Sequence, residues 1–213
     1  MTRLEVLVPT RDRPVELATV LAGLASQDHP FDVLVSDQSD GAASFDTHAA
    51  RAMIRVLEAA GRGVRTVRHL PRRGSAEHRA SMLAASSADF VLFCDDDVWL
   101  EPGTVARLHD AILELRCGLV GAAMPGELWV AYKIAWIAGC VLYDRRALVE
   151  IGGFELWRDL PVGHAGEDVV AEQRVMERFG GAGILPSGAV HLKSPTTVPD
   201  RSVVADSVLG RPA

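Results

Sequence analysis

The chain has 213 residues, with 22 basic and 28 acidic side chains for a formal net charge of −6, and 48% of it is hydrophobic. Against a typical domain of about 150 residues this is one full globular domain, neither disordered nor fibrous, and large enough to fold without disulfide staples. The acidic balance argues against a nucleic-acid partner held by release of phosphate counterions, but not against a small anionic ligand whose charge a metal or local arginines could handle.

Leu4-Glu5-Val6-Leu7-Val8, ending in Pro9, reads as a buried first strand. Pro14 then suits the first turn of a helix, where its missing N–H costs nothing, and Val15, Leu17, Val20, Leu21 and Leu24 follow at helical spacing. A strand is expected over 32–36, stopped by the turn Asp37-Gln38-Ser39-Asp40-Gly41. A helix over 44–60, a strand over 64–68, the loop Pro71-Arg72-Arg73-Gly74 and a helix over 76–86 come next.

Residues 89–94 form the clearest strand and run straight into Asp95-Asp96-Asp97. A helix over 102–115 and strands over 119–124 and around 134–143 follow. Helices over 145–150 and 167–179 and a last strand over 189–192 complete the order. Alternation at this spacing predicts α/β layers around a largely parallel sheet, with ligands beyond the carboxyl ends of the strands. Residues 1–193 read as the domain and 194–213, mixing Pro, Thr, Ser and Gly, as a loosely packed tail.

The three cysteines, Cys94, Cys117 and Cys140, stand 23 residues apart, which is neither metal-ligand spacing nor an even disulfide set. A reducing cytoplasm is the expected location. Met1 to Glu5 lacks a signal-peptide apolar run, and the longest apolar run, Ile134 to Leu142, has nine residues against the roughly 20 of a membrane span. No transmembrane segment is expected.

Three consecutive carboxylates at the end of a central strand are the most informative feature. In an extended segment Asp95 and Asp97 can converge while Asp96 points elsewhere. Clustered hard oxygens suit Mg²⁺ or Mn²⁺, although a solvated acidic turn would look the same in sequence. Gly166-Glu167-Asp168 opens a helix; one carboxylate could serve as general base, or both could simply favour the helix dipole. His191 could complete an Asp/His site or be an ordinary packed histidine. Arg79 could face a diphosphate or solvent, and Asp37 could meet a nucleoside or cap its turn. P-loop, dinucleotide-binding and nucleophile-elbow patterns do not occur, and Trp99 stands where a D-x-D-x-[T/V] phosphatase needs Thr or Val.

Together these pieces resemble the family 2 glycosyltransferases with the GT-A fold. Val6 to Pro14 is similar to their first strand and loop, Val35-Ser36-Asp37-Gln38-Ser39 to the nucleoside segment, and Arg79 to the arginine ahead of the metal motif. Phe93 to Pro102 resembles the D-x-D strand end, Ala138 to Leu148 with Ile151 to Phe154 the acceptor-side segment, and Gly166-Glu167-Asp168 and Val190-His191 the closing motifs. The resemblance spans residues 3–193. It implies a GT-A type, Rossmann-like α/β/α sandwich with a mainly parallel mixed sheet.

It also implies transfer of a sugar from a UDP-, GDP- or dTDP-sugar to an acceptor hydroxyl, with inversion. The acceptor is not identified by the sequence, and a homodimer is left open. Mn²⁺ or Mg²⁺ would be held by Asp97 with Asp95 and His191. Asp168 would be the base, and Glu167 would orient or bind the acceptor. Pro9, Thr10, Arg11, Asp37, Arg79, Asp95 and Asp96 would line the donor site. Gln38-Ser39-Asp40-Gly41 departs from the commoner Gly-Ser-Thr form. No Q-x-x-R-W occurs, and only 22 residues follow His191, which points to single additions rather than processive synthesis. The alternatives are a catalytically silent nucleotide-sugar-binding or partner subunit, and a sugar-phosphate nucleotidyltransferase, for which the Gly-rich G-x-G-T-R loop is missing. The aromatics Trp129, Tyr132, Trp136 and Trp157 could stack on a sugar or belong to the core.

Overall fold

The computed structural model describes residues 2–123, 137–192 and 203–204. Its centre is a seven-stranded sheet. The first strand, β1 (Leu4–Thr10), is followed by helix α1 (Pro14–Ala25), β2 (Asp32–Asp37), α2 (His48–Ala59), β3 (Val64–Arg68), α3 (Ser75–Ala85) and β4 (Phe90–Cys94). Then come β5 (Val98–Leu100), α4 (Thr104–Leu115), β6 (Leu119–Ala123), β7 (Ile137–Asp144), α5 (Arg145–Glu150), β8 (His164–Ala165), α6 (Glu167–Phe179), β9 (Gly181–Ile184), β10 (Ala189–His191) and β11 (Val203–Val204). The sheet order is β3-β2-β1-β4-β7-β6-β9, and β7 alone runs antiparallel to its neighbours.

The strands that read as continuous apolar runs are those buried on both faces, as a covered parallel sheet requires. Val6, Val8, Val33, Val35, Leu92 and Cys94 pack with Leu17, Leu21, Leu24, Leu57, Val105 and Leu108 of α1, α2 and α4. Their alternates Leu7, Leu34, Val91 and Phe93 pack with Met82, Leu148, Ala171 and Val175 of α3, α5 and α6. Two helical layers thus enclose one sheet, in the α/β/α arrangement expected. Each fully buried leucine or valine contributes about 1.5–3 kcal/mol. Pro9 is tolerated because the ladder from β1 to β4 has already stopped at Leu7 and Phe93.

The differences from expectation are local. The helix expected over 44–60 is two elements, a 3-10 turn (Ser44–Asp46) and α2, because Thr47 is extended and accepts from the Ala50 N–H as the cap of α2. Residues 102–103 precede α4, whose cap is Gly103 in the left-handed region. Strands β5, β8 and β9 and the 3-10 helix Glu155–Asp159 were not expected. The expected last strand is β10, but it pairs antiparallel with β5 outside the central sheet. Within the stretch expected as a loose tail, Val203–Val204 pairs in parallel with His164–Ala165. Met124, Trp129, Tyr132 and residues 134–136 lie outside the described residues. Among the described residues no helix is long and apolar enough to cross a membrane.

Candidate active site

Strands β1, β2 and β4 end at one edge of the sheet, with Thr10 paired beside Asp37 and Cys94 leading into the triplet. The triplet does not share one environment. Asp95, half-buried, accepts from Arg79 Nη2 at 2.7 Å. Asp96 is buried and faces β1: its Oδ2 accepts from Thr10 Oγ1 at 2.7 Å, and its Oδ1 from Arg13 Nη1 at 2.9 Å. Asp97 accepts from the same Nη1 at 2.8 Å through Oδ2, and its Oδ1 stands 3.6 Å from His191 Nε2.

His191 reaches Asp97 through the small β5–β10 ribbon. His191 pairs with Val98, Val190 with Trp99 and Ala189 with Leu100, and the Leu192 N–H donates to the Asp97 carbonyl at 2.7 Å. Gly188 opens this ribbon at φ 73°, where a Cβ would lie 2.5 Å from Thr104 Oγ1. Gly139, across from Asp95, has φ 65°, and a Cβ there would come within 3.1 Å of Asp95 Oδ2. The Asp95 N–H donates to the Gly139 carbonyl at 2.7 Å, so β7 is seated directly on the triplet.

Arg79 is the hub of the other half of the site. Buried in α3, it donates to Asp95 and, through Nε at 3.2 Å, to Glu167 Oε1 at the start of α6. Its guanidinium also lies over the Phe93 ring, 5.4 Å from the centroid. Although burial alone would disfavour the charge, Asp95, Glu167 and Asp168 more than offset it and hold Arg79 protonated. Glu167 is buried and its carboxyl is pushed up, by burial first and by neighbouring Asp168 second. Asp168 is partly exposed and accepts from the Val169 N–H at 2.9 Å. Gly166, at φ 86°, turns the chain so that both acids stand in the first turn of α6, where the helix dipole favours negative charge.

His164 holds this region in place. Its Nε2 accepts from the Ala76 N–H at 3.1 Å, so Nδ1 carries the proton and donates to the Pro161 carbonyl at 2.7 Å. Gly74 faces it at φ 102°; a Cβ there would fall 2.5 Å from His164 Cε1. The sequence offered no signal for this contact, nor for Arg13. Arg13 is aimed at the triplet by the preceding Asp12, which takes the left-handed conformation at φ 54° and donates its N–H to Ser39 Oγ.

Asp37 is fully buried, and both its oxygens accept backbone N–H groups, from Ser39 at 2.5 Å and Ser44 at 2.6 Å. It fixes the shape of the loop beside Pro9, Thr10 and Arg11. The Arg11 Nε lies 3.3 Å from Asp12 Oδ2. Trp157 packs against both Phe154 and Leu160 clusters with Arg158 over its ring, while Trp129, Tyr132 and Trp136 lie outside the described residues.

Among the described residues no three His, Cys, Asp or Glu side chains stand close enough to enclose a metal ion. The donor chemistry nevertheless fits a hard divalent cation. The Asp97 carboxyl is pushed up by burial and then by the charge of Asp95, against His191 and Arg13. Asp96 is pushed up to about 6, chiefly by burial. Two guanidiniums, of Arg13 and Arg79, face five carboxylates, so the cluster carries an excess of negative charge that a cation would relieve.

Residues 5–150 match the sequence profile of glycosyl transferase family 2. The chain belongs to that family. No curated protein matches it. Among solved structures, this family 2 chain resembles the mannosyltransferase PcManGT from Pyrobaculum calidifontis in complex with GDP-Man and Mn²⁺. That likeness has 18% identity and a TM-score of 0.70, covering 92% of this chain and 58% of that one. It also resembles S. aureus TarS 1–349 in complex with UDP-GlcNAc (16%, TM-score 0.63, 92% and 62% covered). A third is glucosyl-3-phosphoglycerate synthase from Mycobacterium tuberculosis in complex with Mn²⁺, UDP-Glc and phosphoglyceric acid (20%, TM-score 0.59, 91% and 73% covered). These likenesses are of fold, and the fold is GT-A. The chain spans little more than half the length of the first of them.

Proposed function

We propose that this chain transfers a single glycosyl group from a nucleotide-diphosphate sugar to an acceptor hydroxyl, with inversion at the anomeric carbon. The observation that carries the reading is the Arg79 bridge, which joins the triplet after β4 to the paired acids of α6 across one cleft edge. Support comes from family membership, and from neighbours of the same fold whose complexes hold GDP-Man or UDP-Glc with Mn²⁺.

In this reading Asp37, Pro9, Thr10 and Arg11 shape the base and ribose pocket, with Asp96 fixing its wall through Thr10. Asp95 and Arg79 serve the diphosphate side. Asp97, Asp95 and His191 would hold a divalent cation, Mn²⁺ or Mg²⁺, which supplies charge neutralisation to the departing diphosphate. Asp168, partly exposed at the helix start, takes the proton of the acceptor hydroxyl. The freed oxygen bonds to the anomeric carbon on the face opposite the nucleotide. The bond to the β-phosphate oxygen breaks, and the nucleoside diphosphate leaves with the electron pair. Buried Glu167, anchored to Arg79, orients the acceptor and supports the developing positive charge on the sugar ring.

The test is a thermal-shift and donor-hydrolysis panel of UDP-, GDP- and dTDP-sugars with Mn²⁺, with Mg²⁺ and with chelator. One nucleotide class should stabilise the protein, more with metal than without, and Asp97→Ala should lose the metal-dependent part. Absence of stabilisation and hydrolysis across the whole panel overturns the reading.

A further inference from the structure

Asp97 has two oxygens with different neighbours. Oδ1 faces His191 Nε2 at 3.6 Å, while Oδ2 is held by Arg13 Nη1 at 2.8 Å. The same Nη1 holds Asp96 Oδ1 at 2.9 Å, and Asp96 Oδ2 is held by Thr10 Oγ1 at 2.7 Å. The three charged members of this chain are nearly closed off from water, with side-chain exposures of 14% for Arg13, 8% for Asp96 and 7% for Asp97. One continuous set of hydrogen bonds therefore runs from the end of β1, through the middle carboxylate, to the carboxylate nearest His191.

We propose that Arg13 is the positioning residue of the cation site. By occupying Oδ2 it fixes the Asp97 carboxylate with Oδ1 turned to His191, and by bridging to Asp96 it ties that orientation to Thr10 and the nucleoside-side loop. Hydrogen-bonded partners of a ligating carboxylate set its orientation, and their loss typically costs 10–100-fold in metal affinity. The inference rests on the cation reading above, but its prediction has a sign of its own. Arg13 is a positive charge next to a proposed cation, so simple repulsion says that removing it tightens metal binding. Positioning says that removing it weakens metal binding.

Mn²⁺ titration of the full chain without donor, followed by the electron paramagnetic resonance signal of free Mn²⁺, separates the two. Arg13→Gln should weaken Mn²⁺ binding by about 10–100-fold. Arg13→Lys, which keeps the charge but carries it on a shorter side chain than the one that places Nη1 between Asp96 and Asp97, should recover part of the loss. Thr10→Val, which leaves Arg13 in place and breaks the far end of the chain, should weaken binding in the same direction by less. Should Arg13→Gln misfold, as judged by its thermal midpoint, Arg13→Lys and Thr10→Val carry the test alone. Mn²⁺ binding as tight as wild type or tighter in the folded variants overturns the positioning role. Retention of Mn²⁺ binding by Asp97→Ala overturns the cation assignment itself, a separate failure.

Discussion

From Leu4 to Cys94 the chain repeats one device, a parallel strand followed by a helix, and its four strands lie side by side as β3-β2-β1-β4, buried except for β3 at the edge. Beyond Asp97 the chain abandons that device. It reverses β7, inserts it between β4 and β6, and spends β5, β8, β10 and β11 on two-stranded ribbons outside the sheet. The first region builds a platform whose strand ends line up by construction. The second brings Glu167, Asp168, Gly139 and His191 to that edge by individual contacts. The proposed site is thus divided: Asp37 and the triplet come with the repeat, while the proposed base and the histidine depend on glycine-enabled close approaches.

The largest effect expected from probing that division is chemical. Asp168→Asn should lower turnover by about 10²–10⁴-fold, the usual contribution of a general base, with little change in thermal midpoint because the side chain is partly exposed. Donor turnover assays with the unfolding curve alongside check this; full retained activity breaks the assignment.

Next comes the ribbon. Gly188→Ala places a Cβ 2.5 Å from Thr104 Oγ1 at φ 73°, combining left-handed strain with overpacking. A loss of about 2–4 kcal/mol is expected, read as a fall in thermal midpoint of about 2–4 °C for each kcal/mol. Mn²⁺ binding should weaken in parallel, because β10 carries His191. Unchanged Mn²⁺ affinity in a folded Gly188→Ala protein would separate the ribbon from the site.

A smaller effect tests the first region through pH. His78 of α3 is buried, donates to or accepts from Ser36 Oγ at 2.8 Å and stacks on His69. Burial, with help from the charges of His69 and Arg79, lowers its pKa from 6.5 to about 3. The folded form therefore keeps His78 neutral where the unfolded chain protonates it. Its contribution to stability is full above about pH 6.5 and is lost as pH falls from there toward 3. Between pH 7 and 5 that loss is on the order of 2 kcal/mol. His78→Gln should flatten the pH dependence of the urea midpoint over that interval, and an unchanged slope would refute the account.

The smallest changes compare one helix cap from each region. Thr47→Ala removes the acceptor for the Ala50 N–H, and Asp144→Ala removes the acceptor for the Arg146 and Ala147 N–H groups. Each should cost about 1 kcal/mol in chemical denaturation and leave donor binding unaltered.

The same contrast explains what could be read from the residues. Strands β1, β2 and β4 announce themselves because two-sided burial demands runs of Val, Leu and Phe, whereas β3, exposed at the sheet edge, shows itself only by Val64 and Val67 among polar residues, and Pro14 and the triplet mark where elements start and stop. Strand β9 was illegible because its residues are Gly181-Ala182-Gly183-Ile184; a Cβ at Gly181 would meet Met176 Cγ at 2.7 Å, so packing selects glycine where propensity would select valine. Strand β5 is three residues long, too short for any period. In the site, acidic and histidine positions were visible as residue types, but their partners were not. Nothing local in Pro-Thr-Arg-Asp-Arg-Pro says that the second arginine, rather than the first, reaches two carboxylates. That choice is made by the left-handed turn at Asp12. Likewise Asp37 spends both oxygens on its own loop, a decision of backbone geometry seven residues away at Ser44.

The β5–β10 ribbon also sets an order of events during synthesis. His191 lies 94 residues beyond Asp97 in the chain. At about 5–20 residues per second, a ribosome delivers that histidine roughly 5–20 s after the triplet has been made. During that interval the parallel platform can already form, with its acidic edge held by Arg13 and Arg79 alone. Until β10 has been made, Arg13 and Arg79 are the described cationic partners available to the triplet, and the full set of proposed ligands exists only once the β5–β10 ribbon has zipped.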